Sequence, residues 1–319
     1  MKSLEQEFQE ILVGRTPVNL YEPIEYILMQ PGKRLRPKLV HDVVEMFGGD
    51  PEQAQLVAMA FEMLHNFTLI HDDIMDMAPI RRGRETVYKK WNSNIAILSG
   101  DALAIMAFQQ LLKLPCDKQI IINIANLFSR TSLEICEGQQ FDLDFETKET
   151  VSIDDYLNMI RLKTAVMFAG CLKAGAMLVS ADSMTQQALY NFGIHLGMAF
   201  QLTDDVLDVY GDERTFGKAI GGDIRDNKKT YLYLKALQLA SPEQYDHLTR
   251  LFAAPTTNFE QKYQEVRAIF DDTQVRMFTE DLIMVYVQQA LGDLEQVQVA
   301  EEKKEALLDL AKKLINREK

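Results

Sequence analysis

The sequence predicts an all-α protein. Three observations carry that expectation: apolar residues recur at three- and four-residue spacing along most of the chain, β-branched alternation is scarce, and helix-start signals stand ahead of the apolar runs. "GDPEQAQLVAMAFEMLHNFTLIHDDIMDM" opens with Asp50 as N-cap, Pro51 at the first helical position and Gln53 placed to close a capping box. "SPEQYDHLTRLF" repeats that signal at Ser241, Pro242 and Gln244. Further long helices are expected over 94–113, 118–146, 152–179, 184–211, 230–240, 258–295 (the last with a possible break) and 298–316. No strand is expected. Two charged stretches, 78–93 and 211–229, interrupt the helices, and "AAPTT" at 253–257 is a short turn. No Gly/Ser linker or shift in composition marks a boundary, so residues 1–319 read as a single domain of about ten or more helices, many of them longer than average.

Composition narrows the function. A net charge of −13 argues against a nucleic-acid binder, which needs a basic footprint, but leaves room for a small anionic ligand at a local cluster of cations. Cys116, Cys136 and Cys171 are odd in number and too widely spaced for a paired metal motif, so buried free thiols are expected. The polar, acidic start "MKSLEQEFQE" does not read as a signal peptide, and no apolar run is expected to reach the ~18–20 residues of a membrane span. A cytoplasmic protein is the expectation.

The helix over 51–76 is apolar almost all the way round, hence buried, yet it ends in Asp72, Asp73 and Asp76. Buried carboxylates are costly unless they are paired or bind a metal. Asp72 and Asp76 share one helix face, about 6 Å apart along the axis, where a hard divalent cation would relieve their repulsion. The pattern returns at Asp204, Asp205 and Asp208 in "QLTDDVLDVYGD". Basic residues follow each cluster: Arg81 and Arg82 after the first, then Lys218, Lys228 and Lys229 after the second. The 12-residue ligand spacing of an EF-hand, with its terminal Glu, is absent. The matching clusters suggest a cavity between two helices, in which carboxylates hold Mg²⁺, the metal holds a diphosphate, and cations neutralise the rest. "PGKRLRPKLV" adds Lys33, Arg34 and Arg36, and "RLKTAVMF" sets Lys163 and Thr164 inside an apolar helix.

At these motifs the sequence resembles the trans-prenyltransferases, or polyprenyl diphosphate synthases. "GKRLRP", "HNFTLIHDD", "DDIMD" with "RRG", "LSGDAL", "RLKTAVMF", "FQLTDDVLD" and "GKAIGGDIRDNKKT" are similar to that family's blocks in the family's order, over about residues 30–235. The resemblance implies an all-α isoprenoid synthase bundle around a central cavity, forming a homodimer. It implies isopentenyl diphosphate as one substrate and an allylic diphosphate (dimethylallyl, geranyl or farnesyl) as the other. Magnesium would be the cofactor, with three ions per site, and manganese a possible substitute. Asp72, Asp73, Asp76, Asp204, Asp205 and Asp208 fall on the two metal motifs, with Asp72, Asp76 and Asp204 the direct ligands and Asp142 a supporting acid. Arg81, Lys163, Thr164 and Lys218 match positions that hold the allylic diphosphate, with Gln201 lining that site. Lys33, Arg36, His65 and Arg82 match positions that hold isopentenyl diphosphate, and Lys228 a loop lysine that closes over the metals. His71, beside the first cluster, is read as structural.

The implied reaction is a head-to-tail (1′-4) condensation by ionisation, attack of the isopentenyl double bond and proton loss, with the released diphosphate as a plausible base. No protein nucleophile is required, and apolar helices would keep water from the allylic cation. A class I terpene cyclase is disfavoured by "DDVLD" and by the isopentenyl positions; a non-catalytic subunit is disfavoured by two intact acidic motifs. Phe67, about 7.5 Å down the helix axis from Asp72, is the expected stop for the growing chain, with small Thr68 beside it and Leu64 the next stop below. "FTLIHDDIMD" is similar to short-chain geranylgeranyl synthases, so a twenty-carbon product is expected and a fifteen-carbon one is the alternative.

Overall fold

The computed structural model describes residues 2–211, 220–253 and 257–315. Of the described residues 79% are helical, as the sequence predicts. Three helices precede the first one expected: α1 (Leu4–Leu12), α2 (Val18–Leu28) and α3 (Leu35–Met46). The signal for α1 is in the sequence, since Ser3 and Gln6 form a reciprocal capping box. Then come α4 (Pro51–Met75), α5 (Val87–Lys90), α6 (Ser93–Leu111) and α7 (Lys118–Thr147). They are followed by α8 (Ile153–Ile160), a π-helical turn (Arg161–Ala165), α9 (Val166–Leu178) and α10 (Ser183–Tyr210). The last six are α11 (Gly222–Arg225), α12 (Tyr231–Leu239), α13 (Pro242–Ala253), α14 (Phe259–Asp272), α15 (Val275–Glu295) and α16 (Glu301–Ile315).

Several expectations need correction. The region 78–93 holds a minimal antiparallel hairpin, Ile80–Arg81 with Arg84–Glu85. Its turn residues Arg82 and Gly83 both take positive φ (52° and 74°), the geometry of a tight two-residue hairpin turn written with Arg-Gly in place of Asn-Gly. The helix expected over 152–179 is interrupted by the π turn, whereas the break allowed for within 258–295 is present, at Thr273–Gln274, where Gln274 is left-handed. α6 is 19 residues long with hydropathy 1.2, which by length and composition alone suffices to cross a membrane. The run escapes notice because Asp101 and its amides lie scattered along it, yet only one charge falls inside. Of the cysteines only Cys171 is buried; Cys136 is exposed.

The chain forms two compact units: one of residues 1–132, 170–187 and 299–303, the other of 133–169, 188–298 and 304–319. The first is built around α4, which packs on α3 and α6. Every residue from Val57 to Leu64 is buried, including Glu62, because the apolar pattern there leaves no polar face. Phe61 and Phe108 both meet Phe128 edge-to-face, at 5.2 and 4.9 Å between centroids. In the second unit α10 supplies Leu189, Phe192, Leu196, Ala199, Leu202, Val206 and Val209 to the core at three- and four-residue spacing. The π turn presses on two glycines. A Cβ at Gly138 would lie 2.3 Å from the backbone nitrogen of Lys163, and one at Gly197 would lie 2.5 Å from Cα of Ala165.

Candidate active site

Each unit carries one acidic cluster with its own cations. In the first, α4 ends at the cluster: Asp72 is half-buried, Asp76 is exposed, and Asp73 is 1% exposed. Arg81 on the hairpin reaches back to Asp73, with Nε donating at 2.8 Å and Nη2 lying 2.7 Å from Oδ1. Burial raises the Asp73 carboxyl above its ordinary range, and Arg81 opposes that shift. Thus Arg81, expected at a diphosphate, is also the counter-ion of the middle aspartate.

The turn carrying Lys33 and Arg36 is held by Arg34, a residue that motif reasoning leaves without a role. Arg34 is left-handed (φ 46°). Its guanidinium donates to the carbonyls of Leu28 (2.5 Å) and Gln30 (3.0 Å) and pairs with Glu62 at 2.5 Å. Glu62 is 2% exposed, so removing either partner would strand a buried charge, at a cost of about 3–5 kcal/mol. Arg82, at the hairpin tip, packs on the same turn, for a Cβ at Gly32 would sit 2.9 Å from its Nη1. His65 lies in the combined field: burial, then Arg36, Arg82, Arg81 and Arg34, hold its pKa well below the ordinary value. Four guanidiniums thus bear on the His65 imidazole and favour its neutral form.

The chain-length candidates lie just below. Phe67 is half-buried and meets the His71 ring edge-on at 4.7 Å, Leu64 is buried, and Thr68 donates back to the His65 carbonyl at 2.8 Å. His71 itself lies against α6, with Nε2 3.2 Å from the Ile97 carbonyl and no room for a Cβ at Gly100.

The second unit holds a pocket of about 120 Å³, lined among others by Asp142, Tyr156, Lys163, Thr164, Gln201, Asp205, Asp223 and Lys228. Asp142 takes a 2.6 Å bond from Lys163 and has Lys228 at 3.5 Å. Burial pushes its carboxyl up, but the two lysines outweigh that and hold it below the usual value. Asp205 is buried and accepts from the Tyr156 hydroxyl, in a short bond, and from Gln201 Nε2 at 3.0 Å; Gln201 Oε1 in turn accepts from Thr164 at 3.0 Å. Burial raises Asp205. Burial and then Asp205 keep the Tyr156 phenol well above its ordinary pKa, so it stays a donor. Asp208 accepts from the backbone amides of Gly222 (3.2 Å) and Asp223 (3.0 Å), tethering the start of α11. Asp204 is half-buried. Lys218 lies outside the described residues.

Tyr156 and Asp223 are pocket residues that sequence reasoning missed. Asp223 stands inside the quoted "GGDIRDNKK", so its signal was available; burial and its neighbours Asp208 and Asp205 raise its carboxyl. Nothing near Tyr156 in sequence flags it. Among the described residues no three His, Cys, Asp or Glu groups converge as a ready cage for a metal. What the acidic clusters offer is a few hard carboxylate oxygens, the donor set suited to Mg²⁺ that completes its shell with water and substrate phosphate.

Comparison with known proteins agrees with this chemistry. A sequence model of the family described as polyprenyl synthetase matches residues 17–270. A geranylgeranyl diphosphate synthase of Methanosarcina mazei is 34% identical over 97% of this chain and 93% of its own. A crystal structure of a geranylgeranyl pyrophosphate synthase superposes with a TM-score of 0.93 at 43% identity, covering all of both chains. A decaprenyl diphosphate synthase from Rhodobacter capsulatus superposes with a TM-score of 0.89 at 26% identity, covering 99% of this chain and 95% of that one.

Proposed function

The chain belongs to the polyprenyl synthetase family, and on that premise we propose that it condenses isopentenyl diphosphate with allylic diphosphates to all-trans geranylgeranyl diphosphate. It is a short-chain prenyltransferase acting on isoprenoid diphosphates, and the family is metal-dependent. The observation that carries the finer reading is the pair of acidic clusters, each with its own cations. Asp73, Asp205 and Asp208 are engaged by Arg81, by Tyr156 and Gln201, and by two backbone amides. Asp72 and Asp204 are half-buried and Asp76 is exposed, and we assign these three the metal, Mg²⁺ with three ions per site.

When bound, the metal neutralises charge on the departing diphosphate. The protein's part is binding and exclusion of water. Lys163, Lys228 and Lys218 would hold the allylic diphosphate, with Asp142 keeping the first two aligned. Lys33, Arg36, Arg82 and neutral His65 would hold isopentenyl diphosphate, and Arg34 with Glu62 fixes their turn. Thr164 is expected from sequence at the allylic diphosphate, but its hydroxyl hydrogen goes to Gln201, so we assign it instead to the reacting allyl group, as an acceptor. Phe67 would stop the chain at twenty carbons. The relatives' names favour that length over the farnesyl alternative, and nothing favours a cyclase or a silent subunit. The two units would work as one catalytic domain, since the family match runs through both.

A homodimer and a cytoplasmic site of action belong to the same proposal. α6 leaves Leu98, Ile105 and Leu112 at least 60% exposed at seven-residue spacing, a stripe suited to a second copy. The decisive assay incubates the protein with Mg²⁺, isopentenyl diphosphate and each allylic primer, then separates the dephosphorylated products. Geranylgeraniol is expected; a cyclised hydrocarbon, or no condensation, would overturn the reading.

A further inference from the structure

We propose that Tyr156 is a positioning residue, which acts through Asp205 to fix the carboxamide of Gln201 and thereby the hydroxyl of Thr164 at the wall of the pocket. The inference deepens the prenyltransferase reading and rests on it for its kinetic arm. Its basis is a run of three hydrogen bonds through four side chains. In the structure Gln201 Nε2 donates to Asp205 Oδ1, at 3.0 Å. Oε1 therefore faces Thr164, whose hydroxyl donates to it at 3.0 Å. Tyr156, 2% exposed, closes the chain from α8 by donating to the other Asp205 oxygen. Both oxygens of Asp205 are thus engaged by side chains of the second unit. Asp205 serves as the junction that keeps the carboxamide from flipping.

The placement gives this chain leverage. Thr164 sits in the π turn beside Lys163, and that turn's backbone lies against Gly138 and Gly197. The main chain is held by close packing, so the side-chain direction of Thr164 is what remains to be set. π turns recur at functional sites because they re-aim side chains within a helix. A Gln201 free to flip would present its NH₂ to Thr164, which would then turn its hydroxyl hydrogen toward the reacting allyl group. Tyr156 never needs to touch substrate to prevent this.

The test is Tyr156→Phe, which keeps the ring and deletes the hydroxyl. With both substrates and Mg²⁺, kcat is expected to fall about 30-fold, the scale of one hydrogen bond to a charged group, while KM for isopentenyl diphosphate stays unchanged. In the Gln201→Ala background the same substitution should have no further effect on kcat, since the group it positions is gone. A purely structural tyrosine would instead lower kcat equally in both backgrounds, and that result overturns the proposal. A readout independent of turnover is the Gln201 side-chain amide resonance in metal-free protein, assigned by its loss in Gln201→Ala; it should shift or broaden in Tyr156→Phe, and an unmoved resonance also overturns the proposal. If Tyr156→Phe fails to fold, Asp205→Asn cuts the same link from the other side, with the same expected non-additivity and the same contrary outcome. Should wild-type protein show no condensation, the functional reading falls, while the amide resonance still decides the positioning role.

Discussion

His65 carries a pH signature that a single side chain can report. Its folded pKa lies well below the ordinary value of about 6.5, because it is buried and faced by Arg36, Arg82, Arg81 and Arg34. A depressed histidine favours the neutral form, so its contribution to stability is full above that value and is lost progressively as pH falls below it. Stability should therefore drop by up to about 1.4 kcal/mol per pH unit from this group alone. Urea unfolding between pH 7.5 and 5 should show a steeper decline for wild type than for His65→Gln; equal slopes would contradict the placement. The aspartates divide at the same scale. Asp72→Ala and Asp204→Ala should cut turnover by orders of magnitude and leave the circular dichroism melt close to wild type. Asp73→Ala should also lower the melting temperature, because it abandons Arg81. The six aspartates were legible as a motif, but the side chains that meet Asp205 were not. The donors come from distant segments, with Tyr156 49 residues from Asp205, and a lone tyrosine in a helix carries no pattern.

Elements show the same limit in another form. The long helices were legible because a 3.6-residue apolar period persists over many turns. The π turn was not, because it depends on the approach of α7 and α10 at Gly138 and Gly197, a tertiary fact. The hairpin escaped because two-residue strands carry no alternation to read. Gly138→Ala would force a Cβ against backbone that cannot move cheaply, so it should destabilise by about 3 kcal/mol, read as a lower melting temperature. A melt unchanged from wild type would show that the turn is looser than described. On α4, Phe67→Ala should open the floor and lengthen the product by one or more five-carbon units, with Leu64 next to block. An unchanged product profile would assign chain length to another wall.

For the whole molecule, composition argued against a nucleic-acid binder, and the order of motifs pointed to the family that the comparisons show. Chain length of the product sits between those levels, since a geranylgeranyl and a decaprenyl synthase both superpose closely on this chain. The proposed homodimer would assemble through α6. Ile105→Asp should convert a dimer into a species near the chain mass of 36.5 kDa in light scattering, and an unchanged dimer mass would move the interface elsewhere. α6 also passes the length and composition test for a membrane span, yet 44% of that window is buried within the protein and its outward stripe alternates with Asp101 and Gln109. Such a stripe suits a protein neighbour, whose own side chains can meet both kinds of residue.

The contact between Gly32 and Arg82 offers a wedge that can be driven in by degrees. A Cβ there meets only the tip of a flexible side chain, so alanine, serine and valine at position 32 should fold normally and nudge the guanidinium aside in increasing steps. The cation is displaced but keeps its charge. Such a series would act as a tuning screw on isopentenyl diphosphate affinity, turned from a residue that has no side chain of its own.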